Sequence, residues 1–156
     1  MSTRHPPGRR ADYRWFHEIT TRWMDNDVFR HVNNVVYFSW FDTAVTYWEM
    51  TNKVVDLLDG AVHCVVAEVQ CRYHSSVAWP DRISVGLRVA RIGNSSVRYD
   101  IGIFRNSDDL AAAEGYFVHV FVERASQTPA PIPDASRRIL QSISTEETHG
   151  PRHQRP

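Results

Sequence analysis

A short polar segment at residues 25–34 contains the residue types most able to do chemistry. Its ten positions include two aspartates, one histidine and two adjacent asparagines, namely Asp25, Asp27, His31, Asn33 and Asn34. A carboxylate or an imidazole can act as a general acid, a general base or a nucleophile. A long apolar run follows directly, and the free N–H groups at a helix start bind developing negative charge. The segment therefore indicates either a capped helix start or a chemically active site beside one.

Each of these residues also has an ordinary structural role open to it. Asn33 is suited to cap a helix, the two aspartates can form turns, and His31 can make a structural hydrogen bond. A calcium-binding loop is excluded, because Phe29 and Arg30 stand where such a loop needs a ligand and a glycine. We expect no metal or other cofactor in this segment, since it has no second histidine or cysteine at ligand spacing.

The apolar run after Asn33 predicts one long helix. Its apolar residues recur with helical spacing at Tyr37, Phe41, Ala44, Val45 and Trp48. A narrow polar stripe is formed by Ser39, Asp42, Thr46 and Glu49. The apolar surface is widened by Val35, Val36, Phe38, Trp40 and Tyr47. We therefore expect a helix that is mostly enclosed by the rest of the fold.

The remaining sequence is dominated by strand patterns. Apolar and polar residues alternate over 65–74, 83–89, 97–103 and 116–122. Short turn sequences separate these stretches, which suits antiparallel hairpins. An earlier strand is expected around residues 15–23, and a short surface helix over residues 133–143. The order strand, long helix, four-strand meander predicts an α+β fold with one antiparallel sheet against one helix.

The composition favours one domain with polar ends. A chain of 156 residues, 42% of them hydrophobic, can form one continuous core. Residues 1–12 and 144–156 are polar and lack periodicity, so we expect tails on either side of a domain at residues 13–143. One helix and one small sheet leave apolar surface uncovered, which predicts a homodimer or a homotetramer.

Charge and hydropathy exclude several classes of partner. The 18 basic and 18 acidic residues cancel, which argues against a nucleic acid partner. No stretch has the length and apolarity of a membrane span or a signal core, so we expect a cytoplasmic protein with no membrane partner. Cys64 and Cys71 are seven residues apart and would face opposite sides of a strand, so two reduced thiols are expected.

The run from Asp25 to Asn34, followed by Tyr37 and Asp42, resembles the signature of the acyl-CoA thioesterases related to 4-hydroxybenzoyl-CoA thioesterase. The resemblance continues through residues 65–68, 80–81 and 91–96 and covers about residues 14–143. It implies the hotdog fold, in which a curved antiparallel sheet wraps around one long central helix. It also implies hydrolysis of an acyl-CoA thioester to a free carboxylic acid and CoA, without a cofactor.

The same resemblance assigns roles to individual residues. It makes Asp27 the catalytic carboxylate, acting either as a nucleophile on the thioester carbonyl or as a general base on water. The backbone N–H of Asn34 would bind the thioester oxygen, because the first amides of a helix have no partners within the helix. His31 and Asn33 would shape the loop. The substrate would be bound by Asn33, Tyr37 and Arg91.

Other features leave alternatives open. Glu68 is a candidate accessory carboxylate. Its ordinary role would be that of a surface acid, facing solvent or a second subunit. Plant acyl-ACP thioesterases have a similar H-V-N-N-x-x-Y run but use an asparagine where this chain has Phe29. A hotdog hydratase or dehydratase using His31 and Glu68 is one alternative function. A non-catalytic acyl-CoA binding protein is another.

Overall fold

The structure, a computed structural model, describes residues 5–145. Five strands and two helices follow one another in the order β1 (Trp15–Thr20), α1 (Asn34–Thr51), β2 (Val62–Tyr73), β3 (Arg82–Ile92), β4 (Ser96–Arg105), β5 (Ala113–Glu123) and α2 (Asp134–Gln141). Single turns of 3₁₀ helix lie at Arg10–Asp12 and Trp23–Asp25. This order confirms the predicted sequence of strand, long helix and four strands. The predicted four-strand meander is wrong for its first strand, because β2 pairs with β5 and only β3, β4 and β5 are consecutive neighbours.

All five strands join one antiparallel sheet in the spatial order β1, β3, β4, β5, β2. The tight connection between β3 and β4 is closed by a 2.7 Å hydrogen bond from the N–H of Gly93 to the carbonyl of Ser96. The α1 helix separates β1 from β2 in sequence, and these two strands form opposite edges of the sheet. The predicted α+β class, with one curved sheet around one long helix, is confirmed.

The core forms where one face of α1 packs against the inner face of the sheet. Phe41, Ala44 and Val45 of the helix are fully buried. The facing strand residues are also fully buried, including Ile83, Val85, Leu87, Ile101 and Ile103. The opposite side of the helix is open, since Val35 is 63% exposed and Met50 is 56% exposed. The prediction of a mostly enclosed helix is therefore correct for one face only.

A polar cluster interrupts this core near the end of α1. Glu49, predicted to belong to a polar stripe, is only 2% exposed. Its Oε1 accepts a hydrogen bond of 2.8 Å from the hydroxyl of Tyr99 and lies 3.0 Å from Nδ1 of His119. Burial, together with the nearby Glu49, raises the pKa of Tyr99 well above its usual range, so the phenol remains a neutral donor.

A bulge in β2 reverses the side-chain alternation of that strand. The pairing with β5 shifts between Val66 and Glu68, so Ala67 is the extra residue. As a result, Cys64 and Cys71 both pack against the core, and the prediction that they face opposite sides is wrong. Both are free thiols. Their positions on one extended strand are about 20 Å apart, which is too far for a disulfide.

The N-terminal segment packs on the outer face of the sheet. The N–H of Gly8 donates to Glu114 (3.0 Å), and the carbonyl of Gly8 accepts from the N–H of Ala111 (2.9 Å). The guanidinium of Arg10 lies over the ring of Phe104, 5.0 Å from its centroid. The packed chain thus begins at least as early as Gly8, and the predicted tail is wrong for residues 8–12. The physical reason is that a polar, arginine-rich segment can pack on a sheet through backbone hydrogen bonds and cation–π contacts.

At the other end of the chain, packed residues continue past residue 143, the predicted end of the domain. The N–H of Thr145 donates to the carbonyl of Val89 at 3.0 Å, and Ser144 forms a bridge with the same residue. The rest of the predicted C-terminal tail, residues 146–156, and residues 1–4 lie outside the described residues. Neither helix among the described residues combines the length and apolarity needed to cross a membrane.

Tyr13 anchors the N-terminal segment to the outer face of the sheet. Its ring covers the paired Gly86 and Gly102, and a Cβ at Gly102 would lie 2.6 Å from the Tyr13 Cζ atom. Its ring also packs edge-on against Phe104, with 5.5 Å between centroids, and its hydroxyl donates to Glu114 at 3.1 Å.

We expect Tyr13→Ala to lower the free energy of unfolding by about 3 kcal/mol, because it removes a buried ring from a small cluster. Tyr13→Phe keeps the ring and loses one partly buried hydrogen bond, so about 1 kcal/mol is expected. Urea unfolding of the full chain measures both values. Equal stability of the Ala variant and the wild type would show that the segment does not contribute to the fold.

Candidate active site

The polar segment before α1 folds into a closed loop. The N–H of Asp27 donates to the carbonyl of His31 (2.9 Å), and the N–H of Arg30 donates to the carbonyl of Asp27 (3.0 Å). Arg30 completes the turn with a φ of 64°. A non-glycine residue in this left-handed region is uncommon and is maintained only where surrounding bonds fix it. The loop is therefore held in one defined conformation.

The carboxylate of Asp27 is tied to the start of the helix through Asn33. Its Oδ1 accepts from the N–H of Phe29 (2.9 Å), and its Oδ2 accepts from Nδ2 of Asn33 (3.3 Å). The other side-chain atom of Asn33, Oδ1, accepts from the N–H of Val35 (3.1 Å), which confirms Asn33 as the N-cap of α1. One asparagine side chain thus sets the position of a half-buried carboxylate relative to the first turn of the helix.

Asp25 is bonded quite differently. It is 2% exposed, and its carboxylate accepts three hydrogen bonds from Arg22, one from the backbone N–H and two from the guanidinium. Its carbonyl accepts from the N–H of Asn33 at 2.9 Å. All of these contacts hold the loop in place. The two aspartates of the segment are therefore distinguished by their surroundings, and Asp27 is the more exposed.

The loop is fixed to the segment that leads into β3. The N–H of Val32 donates to the carbonyl of Val77 (2.7 Å), and the N–H of Trp79 donates to Oδ1 of Asn26 (3.1 Å). These bonds join parts of the chain that are more than forty residues apart. The loop and the start of α1 are therefore tied to the connection between β2 and β3.

The first amide of α1 is available to a ligand. Within residues 5–145, the N–H of Asn34 donates to no acceptor, whereas its carbonyl accepts from the hydroxyl of Tyr73 (2.9 Å). An unpaired N–H at a helix start, together with the helix dipole, binds negative charge. This amide can therefore donate a hydrogen bond to a negatively charged oxygen bound at the helix start.

A cavity of about 280 Å³ opens beside this amide. Its walls are formed by His31, Val32, Asn34, Tyr37, Tyr73, His74, Ser75 and Ser76. Tyr37 is almost fully buried, and its ring packs edge-on against Tyr73 with 5.0 Å between centroids. Burial raises the pKa of Tyr37 to about 12, so its phenol is neutral at physiological pH. The cavity offers apolar rings, neutral hydroxyls and one free amide.

Three residues with contacts at or near the site were not predicted as site residues from the sequence. Tyr73 bonds the helix start, His74 lines the cavity beside it, and Asn26 fixes the loop to the β3 side. A signal for the first two was the polar run that ends the alternating pattern of β2. Asn26 had no signal of its own, because its partner is a backbone N–H far away in sequence.

Glu68 and Arg91 lie away from this loop within one chain. Glu68 accepts a hydrogen bond from Tyr116 on the outer face of the sheet, five residues and about 17 Å along β2 from Tyr73. Arg91 is exposed near the far end of β3, about 30 Å of strand from the end that lies near the loop. Their roles as accessory acid and phosphate ligand remain predictions.

The loop is surrounded by large exposed apolar side chains. Val28 is 89% exposed, Phe29 78%, Met24 75% and Trp23 73%. Trp79, 43% exposed, packs edge-on against Trp23 with 5.3 Å between centroids. Apolar surface of this extent around a polar site is typical of a binding surface. It suits an acyl chain or the surface of a second subunit.

Several solved structures are similar to this chain. The PA5185 protein of Pseudomonas aeruginosa strain PAO1 is 45% identical, and the match covers 89% of this chain and 97% of that chain with a TM-score of 0.85. PA2801 of Pseudomonas aeruginosa, a candidate thioesterase, is 31% identical over 79% of this chain and 95% of its own, with a TM-score of 0.74. A thioesterase from Thermus thermophilus, solved with coenzyme A and zinc, is 29% identical over 82% and 92% of the two chains, with a TM-score of 0.70.

A curated relative and a family model match the sequence itself. The YsmA protein of Bacillus subtilis (strain 168) is 25% identical over 89 residues, which is 56% of this chain. The match spans 59% of the length of that relative. The model of the Thioesterase-like superfamily matches residues 21–140, from the end of the first strand to the last helix. Together with the five-stranded antiparallel hotdog sheet, this match shows that the chain belongs to the Thioesterase-like superfamily.

Proposed function

We propose that this protein hydrolyses acyl-CoA thioesters to a free carboxylic acid and CoA, as in the thioesterases related to 4-hydroxybenzoyl-CoA thioesterase. One observation carries the proposal: Asn33 links the carboxylate of Asp27 to the helix start where the N–H of Asn34 is free. A base or nucleophile and an oxyanion donor are the two groups that thioester hydrolysis needs most. Membership of the Thioesterase-like superfamily supports the same reaction.

The geometry suggests how the two groups divide the work. The thioester carbonyl oxygen binds at the N–H of Asn34, and negative charge on that oxygen grows as the tetrahedral intermediate forms. Asp27 either attacks the carbonyl carbon, giving an anhydride that water then hydrolyses, or removes a proton from the attacking water. In both routes the C–S bond breaks, and CoA leaves as a thiolate that takes up a proton. His31 and Asn33 keep the loop in the required conformation.

Coenzyme A is the carrier that the comparisons support. The Thermus thioesterase, similar over most of both chains, was solved with coenzyme A. In this proposal Tyr37 lies beside the thioester, and Arg91 of a second subunit contacts the phosphates of CoA. We place the reaction in the cytoplasm, where the two free thiols Cys64 and Cys71 would stay reduced.

A second copy of the chain would cover apolar surface that one copy leaves open. β2 is a long edge strand, and its inward-facing Val66 and Val69 are 48% and 42% exposed. On the open face of α1, the apolar residues Val35 and Met50 are exposed as well. A long apolar edge of this kind is normally paired. We propose a homodimer, or a pair of homodimers, with the two β2 edges adjacent and the two helices side by side.

The alternative hydratase has weaker support. This reaction needs an imidazole and a carboxylate that both reach one bound acyl chain. The candidates from the sequence were His31 and Glu68. His31 lines the cavity, whereas Glu68 bonds Tyr116 on the outer face of the sheet. A non-catalytic acyl-CoA binding protein has no specific observation in its favour, and the following assay distinguishes it.

We expect Asp27→Asn to reduce turnover by ~100-fold or more with little effect on substrate binding, because the amide cannot act as a base or nucleophile. Asp25→Asn makes the same chemical change two residues away, at a carboxylate bonded to Arg22, and is the matched control. It should stay within several-fold of the wild type. His31→Ala should fall between the two. Release of free thiol from acyl-CoAs of several chain lengths measures all three variants, with circular dichroism to show that each is folded.

The outcomes separate the candidate functions. An Asp27→Asn enzyme within a few-fold of the wild type would remove Asp27 from the mechanism. A wild-type protein that binds acyl-CoA without releasing thiol would support the binding-protein alternative.

A substitution at the β2 edge tests the proposed assembly. Val69→Lys should shift the protein toward monomer, because the charge would be buried between two subunits. Leu58→Lys is the matched control, since Leu58 is 83% exposed in the loop after α1. Sedimentation equilibrium at micromolar concentration measures the mass of each. A wild type that sediments as an active monomer would contradict the proposal.

A further inference from the structure

Three metal-ligating side chains meet at the end of the core that lies far from the loop. Glu49 is in the last turn of α1, Cys64 is in β2, and His119 is in β5. One ligand atom from each residue lies within 4.8 Å of the other two. The helical rise between Asn34 and Glu49 separates this cluster from the helix start by about 22 Å. The cluster is therefore distinct from the site at Asp27.

His119 has a nitrogen that the fold does not use. Its Nδ1 lies 3.0 Å from Oε1 of Glu49, whereas its Nε2 is completely buried and has no hydrogen-bond partner among the described residues. The residue as a whole is only 4% exposed. Buried polar atoms are nearly always paired, so an unpaired imidazole nitrogen in the core requires an explanation. A bound ion is one, because a neutral imidazole is among the commonest metal ligands.

The spacing of the ligand atoms suits a tetrahedral ion. Zinc binds sulfur at about 2.3 Å and nitrogen or oxygen at about 2.0 Å, which places neighbouring ligand atoms roughly 3.3 to 3.6 Å apart. The three ligand atoms lie within 4.8 Å of one another, so small changes of side-chain rotamer would bring them to this separation. Cys64 lies on the edge strand and is only partly buried, so its side chain can approach the other two by a change of rotamer. The same edge gives an ion a path into the cluster.

The charges also suit a divalent cation. A thiolate and a carboxylate together carry two negative charges, so a divalent ion would make the buried cluster neutral. The hydroxyl of Tyr99 donates to Oε1 of Glu49 at 2.8 Å. Hydrogen bonds of this type orient the ligating carboxylates of metal sites. The cluster thus contains both the ligands and a group that positions one of them.

We propose that Glu49, Cys64 and His119 bind one zinc-type divalent cation. A thiolate and an imidazole select zinc or cobalt over magnesium and calcium, which prefer oxygen ligands. The ion joins the last turn of α1 to the edge strand β2 and to β5. The ion has a structural role, because it holds the edge strand β2 against α1 and lies far from the loop that contains Asp27.

Cobalt and zinc titrations of the full-length chain test this proposal. After chelator treatment, we expect one equivalent of Co²⁺ to produce the absorption bands of a tetrahedral site with a thiolate ligand. One equivalent of Zn²⁺ should displace the cobalt and raise the melting temperature. Cys64→Ser should remove the thiolate band and weaken zinc binding by ~100-fold or more, because one of three protein ligands is lost.

Cys71→Ser is the matched control, because Cys71 is the other thiol of the chain, on the same strand and outside the cluster. It should keep the bands, the affinity and the rise in melting temperature. A wild type without a thiolate band would overturn the proposal. So would a Cys64→Ser variant that binds zinc like the wild type, or a Cys71→Ser variant that loses binding. Thiol release by the Cys64→Ser variant measures separately whether the distant loop still functions.

Discussion

The burial of one face of α1 in the concave side of the sheet is the interaction on which the rest of the structure depends. Phe41, Ala44 and Val45 have no exposed surface, and removing such side chains from water is the main favourable contribution to folding. This packing fixes the helix axis relative to β3 and β4. The direction of the first free amide, and therefore the position of the candidate site, follows from it.

In the loop before α1, one side chain joins the cap of the helix to the candidate catalytic carboxylate. Asn33 caps the helix and at the same time holds Asp27, so the fold cannot place one without the other. Asp25 has a separate task, because its carboxylate is used by Arg22. Two acids that are nearly adjacent in sequence thus have different surroundings, and only the more exposed one remains available to a substrate.

The helix also explains what the single chain leaves unfinished. Its buried face ends at Glu49, where the core admits a carboxylate only with the hydroxyl of Tyr99 and the imidazole of His119 as neighbours. On its other face Val35 and Met50 stay exposed, as do Val66 and Val69 on the edge strand β2. The buried polar cluster at the end of α1 and the exposed apolar residues have the same origin, because the five-stranded sheet covers only one side of the helix.

The sequence alone determined the order of the elements, the N-cap at Asn33 and the polar segment that holds Asp27, because these depend on local periodicity and on residue types close in the chain. It could not show the bulge at Ala67, since an inserted residue changes the facing of Cys64 and Cys71 without changing any residue type. Nor could it show that residues 8–12 pack on the sheet, or that Glu49 meets His119, seventy positions away. Contacts between distant parts of the chain depend on the packing of the whole fold, and only the tertiary structure decided them.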